Sequence, residues 1–188
     1  MHIAKISLRV FVDNPAVGFY ERLGFCKVGE DECSLLMEKK IYDNLKIDYT
    51  EARKEDEDGV KNISNFLGGD NSDFVIGGFV IAKAGNKVVG CVRIKNIGND
   101  CLELASLGVL YEYRMLGVGE HLVQKILARE KRRPIYLLTS AEKESFYGRF
   151  GAKLIGPTGL PLSFRGEYAR ITRLPFAKNI RVITMVIE

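Results

Sequence analysis

Apolar and polar residues alternate near the start of the chain. Ile6, Leu8, Val10 and Val12 interleave with Lys5, Ser7, Arg9 and Phe11. A period of two predicts a strand with one apolar face. Asn14-Pro15 follows as an N-cap and a proline at the first helical position, so a helix should run from there toward Gly24. Ser34-Leu-Leu-Met-Glu reads as a closing strand. Residues 46–53 predict another strand, and 56–67 a helix with Val60, Ile63 and Leu67 on one face. Residues 79–83 and 88–94 read as a hairpin around Ala84-Gly-Asn-Lys87. A strand is expected over 101–110. Val118, Leu122, Val123, Ile126 and Leu127 then form a helical stripe. Lys131-Arg-Arg133 sits where cations complement a helix C-terminus. Strand 134–138 leads into helix 141–150, with capping-box spacing in Thr139-Ser-Ala-Glu142. Residues 157–180 read as a long polar connection, and 181–187 as a final strand.

Composition narrows the class. The chain has 188 residues, 46% hydrophobic and 28% charged, which is the balance of a water-soluble globular domain with an extra piece. No apolar run approaches the ~20 residues of a membrane span. The opening Met1-His-Ile-Ala-Lys-Ile lacks the order of a signal peptide, so a cytoplasmic location is expected. Cys26, Cys33, Cys91 and Cys101 show no paired spacing, and His2 and His121 are the only histidines. Reduced, mostly buried thiols and no metal are expected. The net charge of +4 suits an anionic cofactor as well as it suits nucleic acid, and so does not identify the latter.

Two patterns carry chemistry. In the first, the apolar run Leu107-Gly108-Val109-Leu110 is followed by Arg114-Met115-Leu116-Gly117-Val118-Gly119-Glu120, which opens the helical stripe. Glycines let backbone approach a ligand, and a helix N-terminus attracts phosphate, so this is a pyrophosphate cradle in outline. In the second, Phe19-Tyr-Glu-Arg-Leu-Gly24 reappears as Phe146-Tyr-Gly-Arg-Phe-Gly151, each with a further shared glycine at Gly29 and Gly156.

The first segment resembles motif A, the acetyl-CoA site of the GNAT superfamily of N-acetyltransferases. Residues 1–41 resemble the C-terminal third of such a domain, without a motif A of their own. The resemblance implies a partial unit at 1–41 ahead of one complete domain at 42–188. The implied fold is α/β (α+β), a mixed, mostly antiparallel central sheet flanked by helices, with an extra N-terminal β-α-β-β unit. The expected order in the complete domain is β-α-β-β-β-α-β-α-β. Acetyl-CoA is the implied cosubstrate. Arg114 and the backbone of Met115, Leu116, Gly117, Val118, Gly119 and Glu120 would grip its pyrophosphate. Leu107, Gly108 and Val109 would form the strand edge along which pantetheine lies, with Gly108 easing a departure from regular pairing, and Ser145 would touch the pantetheine arm.

The same resemblance makes Glu103 the implied base and Tyr147, at the motif B tyrosine, the implied acid for the leaving thiolate. Glu103 also reads as an ordinary strand carboxylate and Tyr147 as an aromatic core residue. Tyr20 is expected to be structural and His121 to lie at the surface. The run Tyr136-Leu-Leu-Thr139 with Phe146-Tyr147 is similar to N-acetylglutamate synthase-type members, although Ala152 replaces their usual phenylalanine.

The expected activity is therefore transfer of acetyl from acetyl-CoA to a primary amine by direct attack in a ternary complex. The acceptor would be a small metabolite, an amino acid or a peptide. The alternative is a CoA-binding regulatory module without catalysis. Arg165, Arg170 and Arg173 in the polar connection hint at an acidic acceptor. The N-terminal unit is expected to pack on the complete domain, in the same chain or across a homodimer.

Overall fold

The computed structural model describes residues 3–42, 45–66, 74–98, 101–173 and 180–188. Leu67, expected on the apolar stripe of its helix, lies outside them. The chain clusters into two compact units, Met1–Cys91 with Leu107–Lys125, and Val92–Ser106 with Ile126–Glu188.

The first unit opens with β1 (Ile3–Phe11), α1 (Val17–Arg22), β2 (Cys26–Glu30) and β3 (Ser34–Tyr42). The three strands form an antiparallel sheet with β3 central. Register places Leu8 opposite Met37 and Val10 opposite Leu35. These residues join Phe25 in a small core that α1 closes with Val17, Tyr20 and Leu23. Met37 is wholly buried. The reverse face is polar, as in the Lys5–Glu38 pair at 3.1 Å. The expected cap does not form: the Asn14 side-chain oxygen accepts the Ala16 N–H at 2.8 Å within a turn, while α1 starts only at Val17, behind Pro15 and with Ala16, which makes no side-chain cap, in the N-cap position.

The remaining elements are β4 (Asp48–Glu51), α2 (Glu57–Phe66), β5 (Phe79–Ala84), β6 (Lys87–Ile97), β7 (Cys101–Val109), α3 (Val118–Arg129), β8 (Ile135–Ser140), α4 (Glu144–Gly148), β9 (Lys153–Leu154), α5 (Leu162–Thr172) and β10 (Val182–Ile187). Strands β4 to β10 form a second sheet in the order β4-β5-β6-β7-β8-β10-β9. Pairs β4–β5, β8–β10 and β9–β10 are antiparallel, and β7–β8 is parallel.

In the first unit, Val60 and Ile63 of α2 pack on Phe79 and Ile81 of β5 and on Val88 and Cys91 of β6, as the apolar stripe requires. A β-carbon at Gly90 would stand 2.9 Å from Leu122 Cδ1 and 3.1 Å from the Gly108 carbonyl oxygen. Hydrogen at that position is what lets α3 lie so close to β6.

The second unit corrects the sequence reading in three places. The connection after 157 is not extended. It contains a short 3-10 turn at Pro157–Gly159 and then α5, whose Phe164 is completely buried against Tyr136, Cys101, Leu160 and Val186. Phe164, Tyr168 and Ile171 carry helical spacing, but Gly166 and the interspersed arginines hide it. Strand β9 is only two residues long and was not anticipated, so the order gains a strand and a helix. The expected capping box at 139–142 does not form. Thr139 remains in β8, and Ser140 at the start of the Ala141–Lys143 3-10 turn makes no side-chain cap.

One other expectation holds. Arg133 donates to the Glu130 carbonyl at 2.8 Å and the Leu127 carbonyl at 3.4 Å, capping the C-terminus of α3. The cysteines are not mostly buried as expected: Cys91 and Cys101 are, but Cys26 is half-buried and Cys33 is exposed in the turn between β2 and β3. Among the described residues no helix is long and apolar enough to cross a membrane.

Candidate active site

The cradle belongs to the first unit. Beyond Val109, the Leu110 N–H donates to the Val89 carbonyl at 2.9 Å, and a 3-10 turn follows at Tyr111–Tyr113. The chain then passes through left-handed backbone at Met115 (φ 60°) and Gly117 (φ 75°) before α3 begins. Gly117 meets that demand without strain; Met115, a residue with a β-carbon, meets it at a cost of order 1 kcal/mol or more. Such a cost is characteristic of ligand-facing loops.

The first bond closing α3 runs from the His121 N–H to the Gly117 carbonyl at 3.0 Å. The first-turn N–H groups of a helix have no acceptor in the helix itself and form its positive end, and here that end follows Gly117. Met115 and Leu116 are exposed. Arg114 is folded onto its own turn. Its Nε–H donates to the Val109 carbonyl at 3.2 Å and its guanidinium carbon lies 3.6 Å from the Tyr111 ring centroid. This stacking orients the cation without neutralising it. His121 is exposed, as expected, and stacks on Tyr49 with ring centroids 5.4 Å apart.

The break in β7 does not sit at Gly108, where the sequence placed it. Ser106 takes φ 56° inside the strand. A left-handed residue kinks a strand and ends regular pairing. The β7–β8 pairing runs through Leu102–Ile135 and Glu103–Tyr136, upstream of that kink. Ser106 carries no sequence signal for left-handed backbone, whereas Gly108 does.

The second unit holds both candidate reactive groups. Glu103 is only 5% exposed, and its Oε2 has no hydrogen-bond partner among the described residues. Burial, reinforced by the charge of Glu167, pushes its carboxyl up to about 7; Lys95, Arg93 and Arg170 pull the other way without prevailing. Glu167 is treated oppositely. Arg170 grips it in a bidentate pair at 2.6 and 3.0 Å, and Lys95 stands 3.6 Å away. Its carboxyl is held below the usual range by these cations. From sequence, none of Arg93, Lys95 or Glu167 has a part in the site, and Thr139 reads as a capping residue. Arg93 was the readable signal, since it is a buried charge inside the apolar run of β6.

Tyr147 is almost completely buried. Burial raises its phenol to about 12, opposed by a hydrogen bond with the Thr139 side chain. Glu103 lies beside Tyr136 in register, and Thr139 is three residues further along β8, about 10 Å. The two groups thus have separate environments, one set by charges from β6 and α5, the other by Thr139. Ser145 is exposed on α4. Of the arginines that hinted at an acidic acceptor, Arg165 donates to the Leu160 and Thr158 carbonyls and Arg170 grips Glu167. Arg173 is exposed at the end of α5.

The internal repeat has a structural counterpart. Gly24 and Gly151 both adopt left-handed backbone, φ 86° and 82°. The Phe25 N–H donates to the Tyr20 carbonyl as the Ala152 N–H does to the Tyr147 carbonyl, and the pairs Phe19–Tyr20 and Phe146–Tyr147 are both edge-on. In both copies the glycine terminates the helix and turns the chain into a strand.

The chain matches the acetyltransferase (GNAT) family over residues 39–152. No curated protein sequence matches it. Among solved structures, N-acetylglutamate synthase from Neisseria gonorrhoeae, complexed with coenzyme A and N-acetyl-glutamate, aligns at TM-score 0.62 and 18% identity over 79% of this chain. The chain spans 36% of that protein's length. Rv2747 from Mycobacterium tuberculosis, in complex with CoA, aligns at 0.58 with 19% identity, covering 74% of this chain and 98% of that one. Arabidopsis thaliana Naa50, in complex with the bisubstrate analogue CoA-Ac-MVNAL, aligns at 0.52 with 16% identity, over 76% and 98%. At these identities the likeness establishes the fold.

Proposed function

Since the chain belongs to the GNAT acetyltransferase family, we propose that it is an acyltransferase that moves acetyl from acetyl-CoA to a primary amine within a ternary complex. The observation that carries this reading is Glu103, a buried carboxylate with an unpartnered oxygen and a carboxyl raised to about 7. A base of that strength suits proton removal from an ammonium near neutral pH. Its Oε2 takes one proton of the ammonium, the neutral nitrogen adds to the thioester carbonyl carbon, and as the C–S bond breaks the proton left over on nitrogen passes to the departing sulfur. Arg114 and the amides from Met115 to Glu120 hold the pyrophosphate. The backbone at Leu107, Gly108 and Val109 holds pantetheine and polarises the carbonyl, and Ser145 touches the arm.

Tyr147 acts on the sulfur, but its high pKa limits how. A phenol near 12 does not hand its proton fully to a thiolate whose conjugate acid lies near 8.5, the reference for a simple thiol. It stabilises the developing thiolate as a hydrogen-bond donor. Tyr147→Phe should therefore slow turnover about tenfold and leave acetyl-CoA affinity within about twofold, measured by single-turnover kinetics beside binding titration. Arg114→Ala should weaken acetyl-CoA about tenfold, the worth of one charge-assisted contact, with little change in the rate at saturation.

The acceptor is a small amine, an amino acid or a peptide. The three structures compared were solved with coenzyme A or a bisubstrate analogue of it, which supports acetyl-CoA as cosubstrate. The test is CoA release from acetyl-CoA with a panel of amines. Confirmed acetyl-CoA binding without release from any acceptor would instead identify a CoA-binding regulatory module.

A further inference from the structure

Two carboxylates share the face of the second unit that α5 covers, and their surroundings drive them apart. Glu167 comes from α5, where Phe164 fixes the helix by burying its ring against Tyr136 at a centroid distance of 5.5 Å. One turn on, Arg170 chelates Glu167, and Lys95 from β6 stands 3.6 Å from the same carboxylate. Its side chain is 13% exposed. Glu103 comes from β7 and offers an oxygen that nothing among the described residues occupies. The groups around Glu103 are Arg93 and Lys95 on β6, Glu167 and Arg170 on α5, Cys101 on its own strand and Tyr136 on β8. Cys101 and Tyr136 are uncharged near neutral pH, since burial raises both. The ionised groups are thus three cations and one fixed anion. A pair of carboxyls pushed in opposite directions is the usual division of labour between a fixed charge and a proton-exchanging group.

We propose that Glu167, locked in place by Arg170 and Lys95, is a positioning residue that sets the protonation of Glu103 and so the pH at which the enzyme accepts its acceptor's proton. The inference rests on Glu103 being the base. Its negative charge opposes ionisation of Glu103 directly. It also occupies Arg170 and Lys95, which would otherwise turn their full charge on Glu103. Without Glu167, Glu103 becomes a stronger acid and a weaker base. On this account α5 is part of the catalytic apparatus, although no residue of it touches the reacting atoms.

The test compares the acid limb of kcat/KM against pH in Glu167→Gln, Glu167→Asp and Lys95→Met, with Glu103→Gln as reference. Glu167→Gln should move the limb down by about one pH unit, and Glu167→Asp, which keeps the charge, should restore it. Lys95→Met removes a cation and should move the limb up. Opposite movement in two variants cannot come from a general loss of structure. Carboxyl carbon NMR of the intact protein, with Glu103 assigned through Glu103→Gln, should show the same displacements without any turnover. A limb and a Glu103 titration unmoved in Glu167→Gln, or moved in one direction by both variants, would overturn the proposal. If Glu103→Gln itself keeps the limb, the base assignment fails instead, and the NMR titration still decides whether Glu167 governs Glu103. Should Glu167→Gln fail to fold, Glu167→Met takes its place: a downward shift supports the proposal and no shift refutes it.

Discussion

Glu103→Gln is expected to cripple the enzyme and at the same time stabilise its fold. Loss of a positioned base slows transfer by about 10²- to 10⁴-fold, and the acid limb of the rate–pH profile should vanish with it. Stability moves the other way. The folded carboxyl is raised to about 7 against an ordinary 4.5. Between those values the unfolded chain has released its proton while the folded chain keeps it, so folded protein binds more protons and stability falls as pH rises through the window. The full cost is present above pH 7 and absent below about 4.5. At roughly 1.4 kcal/mol per pKa unit it amounts to about 3 kcal/mol. Glutamine preserves the shape and carries no charge to bury. The variant should therefore melt on the order of 10 °C higher than the parent at pH 8, with the difference closing toward pH 4. Equal melting temperatures at pH 8 would mean that Glu103 ionises without penalty. A surviving acid limb would mean that it reports another group, such as the acceptor amine.

That double effect could not have been read from the sequence, and the reason is specific. The alternation in β7 places Glu103 on a strand, and the resemblance to an acetyltransferase marks it as the base. Its chemistry, however, comes from burial and from charges that include those of α5, far along the chain, where Arg165, Glu167, Arg170 and Arg173 gave the segment the look of a solvated connection. Helical spacing of Phe164, Tyr168 and Ile171 was present but diluted by Gly166. Elements with strong periodicity were legible: α2 from Val60 and Ile63, α3 from Leu122 and Ile126, β1 from its alternation. Features decided by tertiary contacts were not. Thr139 had the spacing of a capping residue and instead engages Tyr147 from within β8. The irregularity of β7 falls on Ser106, which has no intrinsic preference for left-handed backbone, and not on Gly108, which does. In each case a local propensity lost to a packing or hydrogen-bonding demand from elsewhere.

Removal of residues 1–41 is the other change from which we expect a large loss, and the structure alters the reason for it. The sequence argued that an orphan apolar face must find a partner. The strands and α1 in fact close a small core of their own around Met37, Phe25, Val10 and Leu35. A piece of that size still lacks the buried area to fold alone, so an isolated 1–41 peptide should show no cooperative transition. Its bearing on function lies at Gly24. A β-carbon there would sit 3.4 Å from the Arg114 carbonyl oxygen and 3.7 Å from that of Tyr111, so the end of α1 rests against the turn that presents Arg114. Removing it takes one support from a turn that also holds itself through the Tyr113 N–H to Leu110 and Arg114 N–H to Tyr111 bonds. A shift of about 1 Å in a binding group costs up to 10²-fold in rate. The truncated protein should therefore bind acetyl-CoA more weakly by about one order of magnitude, lose up to two in kcat/KM, and melt several degrees lower. Gly24→Ala, strained at φ 86° and pressed on the Arg114 carbonyl, should reproduce part of the affinity loss without removing the unit. A truncated protein with unchanged melting temperature and acetyl-CoA affinity would show that residues 1–41 do not brace the cradle.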